Sequence, residues 1–416
     1  MSEFSDLTRR ITKRLSKTEK KEHGIFITPR NVIERLIKKT DTFIESLDLE
    51  IEDVLEPSCG TCEIIQYLDS NYSGLVIDGV EYNSTIFDEI KNIQFSADNT
   101  IALTHSDFLR FRATKQYDMI LGNPPYVVCP VDSVPVEYRQ YVVGRPNLFG
   151  AFILHSLSML RVGGILSFII PTSFLNAAYY AKIREYILTT CDILSIINFE
   201  KDCGFIDTQQ STFGLILRKT DIARLSIPLC KHSFKFNDSY IFTENADKLK
   251  DILAGSTTLK ALGLSVKTGT VVWNQHKDIL THDNTKTLLL YNSNLVNNEI
   301  KTMAFKNDEK KQYIDMSGNT NSVIVVNRGN GTSAYVLSYS LVRSATPYLI
   351  ENHLNYIYSN EMSDVERNRV FDIVLNSFNN PKTQEFIDVF LGNNGLSKTE
   401  LETIFPIYLD DYGYSE

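Results

Sequence analysis

The sequence predicts an α/β protein: a doubly wound, seven-stranded sheet in the first half, followed by a mixed α+β domain. Three observations carry that expectation. Between about residues 51 and 218, short apolar runs alternate with stretches whose apolar residues recur every three or four positions, the pattern of a parallel sheet covered by helices on both faces. Past about 220 the texture changes to Asn-, Thr- and Ser-rich loops between short strands. A chain of 416 residues also exceeds one ordinary core, because domains average roughly 150 residues.

Seven strands are expected at 51–56, 74–81, 100–105, 117–122, 163–170, 192–200 and 211–219, with helices at 64–70, 149–160 and 177–188 between them. In the second half, TLLLYN and NSVIVVN read as strands, and 347–359, 370–378 and 383–391 return to amphipathic helix. There is no internal repeat and no Gly/Ser linker. Two domains, 1–220 and 221–416, are therefore expected to pack with a cleft between them.

Composition excludes several classes. Hydrophobic residues make up 43% and charged residues 22%, the balance of a folded soluble chain, and no apolar run approaches the ~20 residues of a membrane span. The N-terminus is polar and charged, unlike a signal peptide, so the protein is expected to stay in the cytoplasm where it is made. Six cysteines without regular spacing predict reduced thiols. Cys59 and Cys62 form a CxxC, but no second CxxC or nearby His completes a four-ligand set, and no metal is expected. The net charge of -9 does not favour a nucleic-acid partner. Distribution matters more: Arg9, Arg10, Lys13, Arg14, Lys17, Lys20 and Lys21 make the first forty residues basic, which fits either a local basic cleft or a solvated helix.

The sharpest chemical signal is Asn123-Pro124-Pro125-Tyr126, directly after the buried strand YDMILG. Ligands of open α/β sheets sit beyond the carboxyl ends of strands, so the tetrapeptide is presented at the site. Each proline holds the residue before it extended, which aims two acceptors the same way: the Asn123 side-chain oxygen and the Pro124 carbonyl. An aromatic amine needs such a pair, because its lone pair is delocalised into the ring. Two acceptors on its N–H bonds favour a pyramidal nitrogen that can attack an electrophilic methyl, with charge and geometry fixed before the reaction. Tyr126 offers a face on which an extruded base can stack. A chance match to this pattern in a chain this long has odds on the order of one in a hundred, so the motif outweighs a plain proline turn.

Upstream, DVLEPSCGTCEII runs a strand into a glycine turn and then a helix, the arrangement that brings backbone amides close to a cofactor. Glu81 ends the next strand, where an acid can accept both ribose hydroxyls of an adenosyl group. Asp107 and Phe108 follow the third strand, placed to take an adenine amino group and to stack on its ring.

With those residues in view, the chain resembles the N6-adenine DNA methyltransferases of the gamma motif order, over roughly residues 24–219. Gly24-Ile-Phe-Ile-Thr-Pro29 resembles the FxTP segment that closes over the methionine part of S-adenosylmethionine, which implicates Thr28. Leu55-Glu-Pro-Ser-Cys-Gly-Thr-Cys62 resembles the cofactor loop, implicating Glu56, Ser58 and Gly60, with Cys62 standing where the family has its second glycine. Pro146-Asn-Leu-Phe-Gly-Ala-Phe152 resembles the stretch whose aromatic, Phe149 here, lines the cofactor pocket. Phe205 resembles the aromatic that flanks the flipped base opposite Tyr126. The resemblance implies a Rossmann-like S-adenosylmethionine-dependent catalytic domain, duplex DNA as partner and residues 221–416 as the target-recognition domain. There, Trp273, Asn274, Gln275, His276 and Lys277 are suited to base edges and phosphate, and Arg328 to close backbone approach. It further implies a modification enzyme of a restriction system; a short site methylated on both strands would suit a monomer acting twice, and a companion endonuclease, if there is one, is expected outside any stable complex. Two other readings stay open: an RNA adenine or protein glutamine methyltransferase using the same chemistry, and a catalytically silent DNA-binding subunit.

Overall fold

The computed structural model describes residues 4–16, 18–20, 24–25, 28–199, 212–221, 231–236, 239–329, 335–343, 346–391 and 395–409. The chain divides into two compact units, Met1–Ala246 and Asp247–Glu416.

The first unit is built on a seven-stranded sheet of β1 (Asp53–Glu56), β2 (Val76–Glu81), β3 (Thr100–His105), β4 (Tyr117–Gly122), β5 (Leu160–Pro171), β6 (Cys191–Asn198) and β7 (Thr212–Lys219), in the order β3-β2-β1-β4-β5-β7-β6. β7 runs antiparallel to both β5 and β6, and the other pairings are parallel. All seven expected strands are present. The order reverses direction between β1 and β4, so the crevice of this sheet opens at the carboxyl ends of those two strands. Glu56, Glu81 and Gly122, the last residues of β1, β2 and β4, all stand at that edge.

Helices cover both faces. α1 (Asp6–Arg14) and α2 (Arg30–Ser46) precede the sheet, α3 (Glu63–Asn71) follows β1 and α4 (Ser84–Ile90) follows β2. α5 (Leu148–Met159) and α6 (Ala181–Thr190) flank β5. Asn83 caps α4 by accepting from the Ile86 N–H at 3.0 Å, which starts a helix the periodicity was too short to announce. In α2 the apolar stripe Val32, Ile33, Leu36 and Ile37 is buried against the sheet. α5 is apolar all round, with ten of its twelve residues buried.

The unit boundary falls later than the change of texture at 220. The hairpin of β8 (Ser233–Phe236) and β9 (Ser239–Phe242) sits with the first unit, tied there by Arg184 of α6. That side chain is fully buried, and its guanidinium donates to the carbonyls of Tyr240 at 2.7 Å, Phe174 at 2.9 Å and Ala177 at 2.9 Å. A buried cation is tolerable only when its donors are met, and an arginine in an amphipathic pattern gives no sign of that environment. Arg184→Met is expected to lower unfolding free energy by about 2 kcal/mol through the lost charge-assisted bonds, measurable by urea denaturation.

The second unit holds two four-stranded sheets. One orders Ser265–Thr268, Leu354–Tyr358, Val323–Asn327 and Tyr339–Val342, all antiparallel. The other orders Leu280–Thr281, Tyr313–Ile314, Thr287–Leu290 and Tyr348–Ile350, with a parallel last pair. The expected helix at 347–359 is therefore replaced by two strands, Tyr348–Ile350 and Leu354–Tyr358. Its Tyr and Ile residues are strand formers, and pairing with partners distant in sequence decides a segment whose apolar spacing fits either structure. Helices do occupy Asp364–Phe378 and Pro381–Phe386, the latter continuing as a π-helical turn to Leu391. Among the described residues no helix is long and apolar enough to cross a membrane.

Candidate active site

The carboxyl edge of the sheet opens into a pocket of about 420 Å³, the size that suits a nucleoside-like ligand. Thr28, Glu56, Ser58, Gly60, Glu81, Asp107, Phe108 and Asn123, eight residues singled out from the sequence, all line it.

The glycine turn forms its floor. Gly60 has φ +50°, and a Cβ there would meet no atom within 4 Å, so the backbone faces open pocket. The Gly60 N–H donates to Glu81 Oε2 at 2.8 Å, and the Asn83 N–H donates to Glu81 Oε1 at 2.6 Å. The acid at the end of β2 thus fixes both the turn and the loop entering α4. Cys62 takes the left-handed conformation, φ +64°, as N-cap of α3. A glycine would adopt it without strain, whereas a side chain there costs roughly 1–2 kcal/mol. The thiol is fully buried beside Cys59, and both cysteines are free.

Glu56 is buried at 3% exposure, and its Oε2 has no hydrogen-bond partner among the described residues. Burial pushes its carboxyl well above the ordinary value of 4.5, with the neighbouring Cys62 and Glu81 adding to the rise. A carboxyl whose native pKa is raised favours the folded state in its protonated form. Its contribution is present below 4.5 and lost as pH climbs through the native value. Glu56→Gln is accordingly expected to flatten the alkaline side of the stability profile, leaving Tm unchanged near pH 4 and raising it above neutrality.

At the β4 end, Ser58 Oγ donates to the Asn123 carbonyl at 3.2 Å, and Asn123 Nδ2 donates to Thr28 Oγ1 at 3.0 Å. This orients the amide and leaves its oxygen as an acceptor. Gly24, with φ +61°, lies against the same segment, since a Cβ there would come within 3.0 Å of the Tyr126 nitrogen. Asn123 and Pro125 border the pocket; Pro124 and Tyr126 do not. Tyr126 is 8% exposed, and its hydroxyl donates to Asn123 Oδ1 and, at 2.9 Å, to the Ile169 carbonyl. Burial drives its phenol far above the usual range.

Asp107 accepts from the Leu109 N–H at 3.0 Å and caps a short turn that sets Phe108 against Phe152, ring centroids 4.8 Å apart. Here one expectation is corrected. Phe149 is fully buried and packs on Tyr126, Phe174 and Tyr180, while Leu148 and Phe152 of the same helix reach the pocket. A helix apolar on every side carries no pattern that tells which aromatic faces the ligand. Phe205 lies outside the described residues. Sequence reasoning also missed Asn83, Phe152, the 127–130 segment, Ile11 of α1 and the α1 C-cap residue Leu15, all of which line the pocket.

In the second unit, Trp273–Gln275 and Lys277–Ile279 are consecutive 3-10 turns. Asn274, Gln275 and Lys277 are exposed, while Trp273 and His276 are half-buried. Lys277 pairs with Glu309 at 2.6 Å, and both Lys277 and Lys310 lie within 6 Å of the indole centroid. Arg328 Nη1 donates to the Asn352 carbonyl at 2.9 Å, and the Asn352 N–H donates to the Val271 carbonyl at 2.9 Å. Asn352 therefore ties Arg328 to the segment that leads into Trp273.

The sheet order, the glycine turn and the acids at successive strand ends are those of the α/β fold of S-adenosylmethionine-dependent methyltransferases. The pocket fits that cofactor: acceptors at Glu56, Glu81 and Asp107 suit its hydroxyls, amines and positive charge, and Phe108, Phe152 and Pro125 supply apolar faces. Residues 65–205 match the Eco57I restriction-modification methylase family. Along its whole length the chain is similar to modification methylase CviBIII of Paramecium bursaria Chlorella virus NC1A, 28% identical over 98% of this chain and 100% of that one. It is similar to type II methyltransferase M.CvrRI of Paramecium bursaria Chlorella virus XZ-6E at 25% identity and the same coverage. Among solved structures, that of a DrdV–DNA complex shares the fold with a TM-score of 0.51 at 13% identity, over 97% of this chain and 57% of that one. The chain is thus similar along its whole length to type II methyltransferases of restriction-modification systems, and its pocket is that of an S-adenosylmethionine-dependent enzyme.

Proposed function

We propose that the protein transfers a methyl group to N6 of an adenine turned out of a short duplex DNA site, as the modification enzyme of a restriction system. The observation that carries this reading is the placement of Asn123-Pro124-Pro125-Tyr126 directly after β4, with Asn123 and Pro125 bordering the pocket that Gly60, Glu81 and Asp107 line.

When bound, S-adenosylmethionine supplies the electrophilic methyl. Glu81 and Asp107 hold the adenosyl part through its hydroxyls and amino group, and Phe108 packs on its ring. Asn123 Oδ1 and the Pro124 carbonyl accept from the two N6–H bonds of the target base, so N6 presents its lone pair without a strong general base. Because the Tyr126 hydroxyl now occupies Asn123 Oδ1, the target amine takes over that acceptor as it enters. Tyr126, with Phe205 opposite, gives the base a stacking surface that offsets part of the few kcal/mol spent on unstacking. In this reading 221–416 recognises the target. Asn274, Gln275 and Lys277 reach base edges and phosphates from the exposed turns beside Trp273 and His276, with Arg328 close to the backbone.

The test is methylation of mixed-sequence duplex DNA with labelled S-adenosylmethionine, followed by nucleoside analysis and single-molecule sequencing. N6-methyladenine confined to one short motif is expected. Label in RNA or protein but not in DNA would move the assignment to those substrates, and no transfer at all would make the chain a silent subunit.

A further inference from the structure

The basic N-terminal run reads from the sequence as a DNA contact or a solvated helix; its packing points elsewhere. α1 presents two adjacent stripes. Ile11 and, four positions on, the C-cap residue Leu15 are buried and line the cofactor pocket. Arg10 and Arg14, on the next stripe, both pair with Glu89 of α4, Arg10 at 2.9 Å.

The start of the helix is held more firmly. Glu63, in the first turn of α3, accepts from the Ser5 N–H at 3.1 Å, from Ser5 Oγ at 2.6 Å and from Thr8 Oγ1 at 2.5 Å. Thr8 Oγ1 also lies 2.7 Å from Thr61 Oγ1, inside the glycine turn. Beyond α1, Glu19 Oε1 accepts from Asn83 Nδ2 at 3.3 Å, and Asn83 itself lines the pocket. The arginines are more than half exposed, and such pairs hold little. The carboxylate of Glu63, half-buried with three donors, is the main anchor between α1 and the turn that carries the cofactor loop.

We infer that α1 is part of the S-adenosylmethionine site: Ile11 and Leu15 form an apolar wall against the bound cofactor, and Glu63 is the positioning residue that holds that wall to the glycine turn. The inference rests on the cofactor and not on DNA or adenine, so its test omits nucleic acid and stands whatever the methylated substrate proves to be.

The probe is S-adenosylhomocysteine, which binds without transferring a methyl. With the full-length protein, its addition is expected to slow amide exchange across residues 6–15, and calorimetry is expected to show affinity about tenfold lower in Glu63→Ala and in the double variant Ile11→Ala/Leu15→Ala. In Glu63→Ala, cofactor protection of 6–15 is expected to be lost while exchange in β1 and β4 stays native, a pattern that general destabilisation does not produce. A second variant, Ser5→Ala/Thr8→Val, removes the donors and keeps Glu63; it should reproduce the affinity loss if Glu63→Ala folds poorly. Unchanged exchange of 6–15 on binding, or native affinity in the two double variants, would overturn the proposal.

Discussion

Replacing Asn123 with alanine is expected to lower methyl transfer at saturating cofactor and DNA by roughly 10³-fold, the scale of removing one preorganised polar partner from a reacting centre. The side chain is held from two directions: Thr28 Oγ1 accepts from its amide nitrogen, and the Tyr126 hydroxyl donates to its amide oxygen. The oxygen therefore has a fixed direction before substrate arrives, and that fixity is what alanine removes. Asn123 only borders the cofactor pocket, so affinity for S-adenosylhomocysteine should stay within about threefold, a loss under 1 kcal/mol. Asn123→Asp keeps an acceptor at the same place and should retain a measurable part of the rate. Single-turnover transfer of labelled methyl separates these outcomes; an alanine variant as fast as the native protein would refute the assigned role.

The sheet was legible because a buried parallel strand is a local property. Each of its seven apolar runs is long enough to declare itself, and a residue at a strand's carboxyl end inherits its place from the fold, so Glu56, Glu81, Asp107 and Asn123 converge on one pocket although they are distant in sequence. What stayed hidden depends on orientation and on long-range contact. Phe149 and Phe152 share a helix with no polar face, so nothing in the pattern says which one turns to the pocket. The hairpin at 233–242 joins the first unit through Arg184, whose carbonyl partners lie in two separate segments. The strands at 348–350 and 354–358 owe their form to partners up to about ninety residues away, as in the Ser265–Tyr358 pairing. One signal was available and unread: Arg10/Arg14 beside Ile11/Leu15 is a pair of four-residue repeats, which marks α1 as a helix with one charged and one buried stripe.

Glu81→Ala carries the largest expected effect on the cofactor, a rise in Kd on the order of 10²–10⁴-fold, as two charge-assisted bonds of ~1.5–3 kcal/mol each are lost. Both carboxylate oxygens already accept a backbone N–H, from Gly60 and from Asn83, and a carboxylate's roughly four acceptor sites leave room for a ribose hydroxyl. The same substitution frees the Gly60 N–H and loosens the turn, so binding loses its partner and its preorganisation together. Glu81→Gln retains one acceptor for the turn and should lie between alanine and the native protein. Burial raises the Glu81 carboxyl above its ordinary value of 4.5, opposed by the N–H donors of Asn83, Gly60 and Tyr82. Protonation removes the charge that strengthens those bonds, so native cofactor affinity should fall as pH drops through that raised value, and the Gln variant should show a flatter profile. Calorimetric titration with S-adenosylhomocysteine across pH measures both effects, and an alanine variant that binds within threefold of the native protein would show that the adenosyl group is held elsewhere.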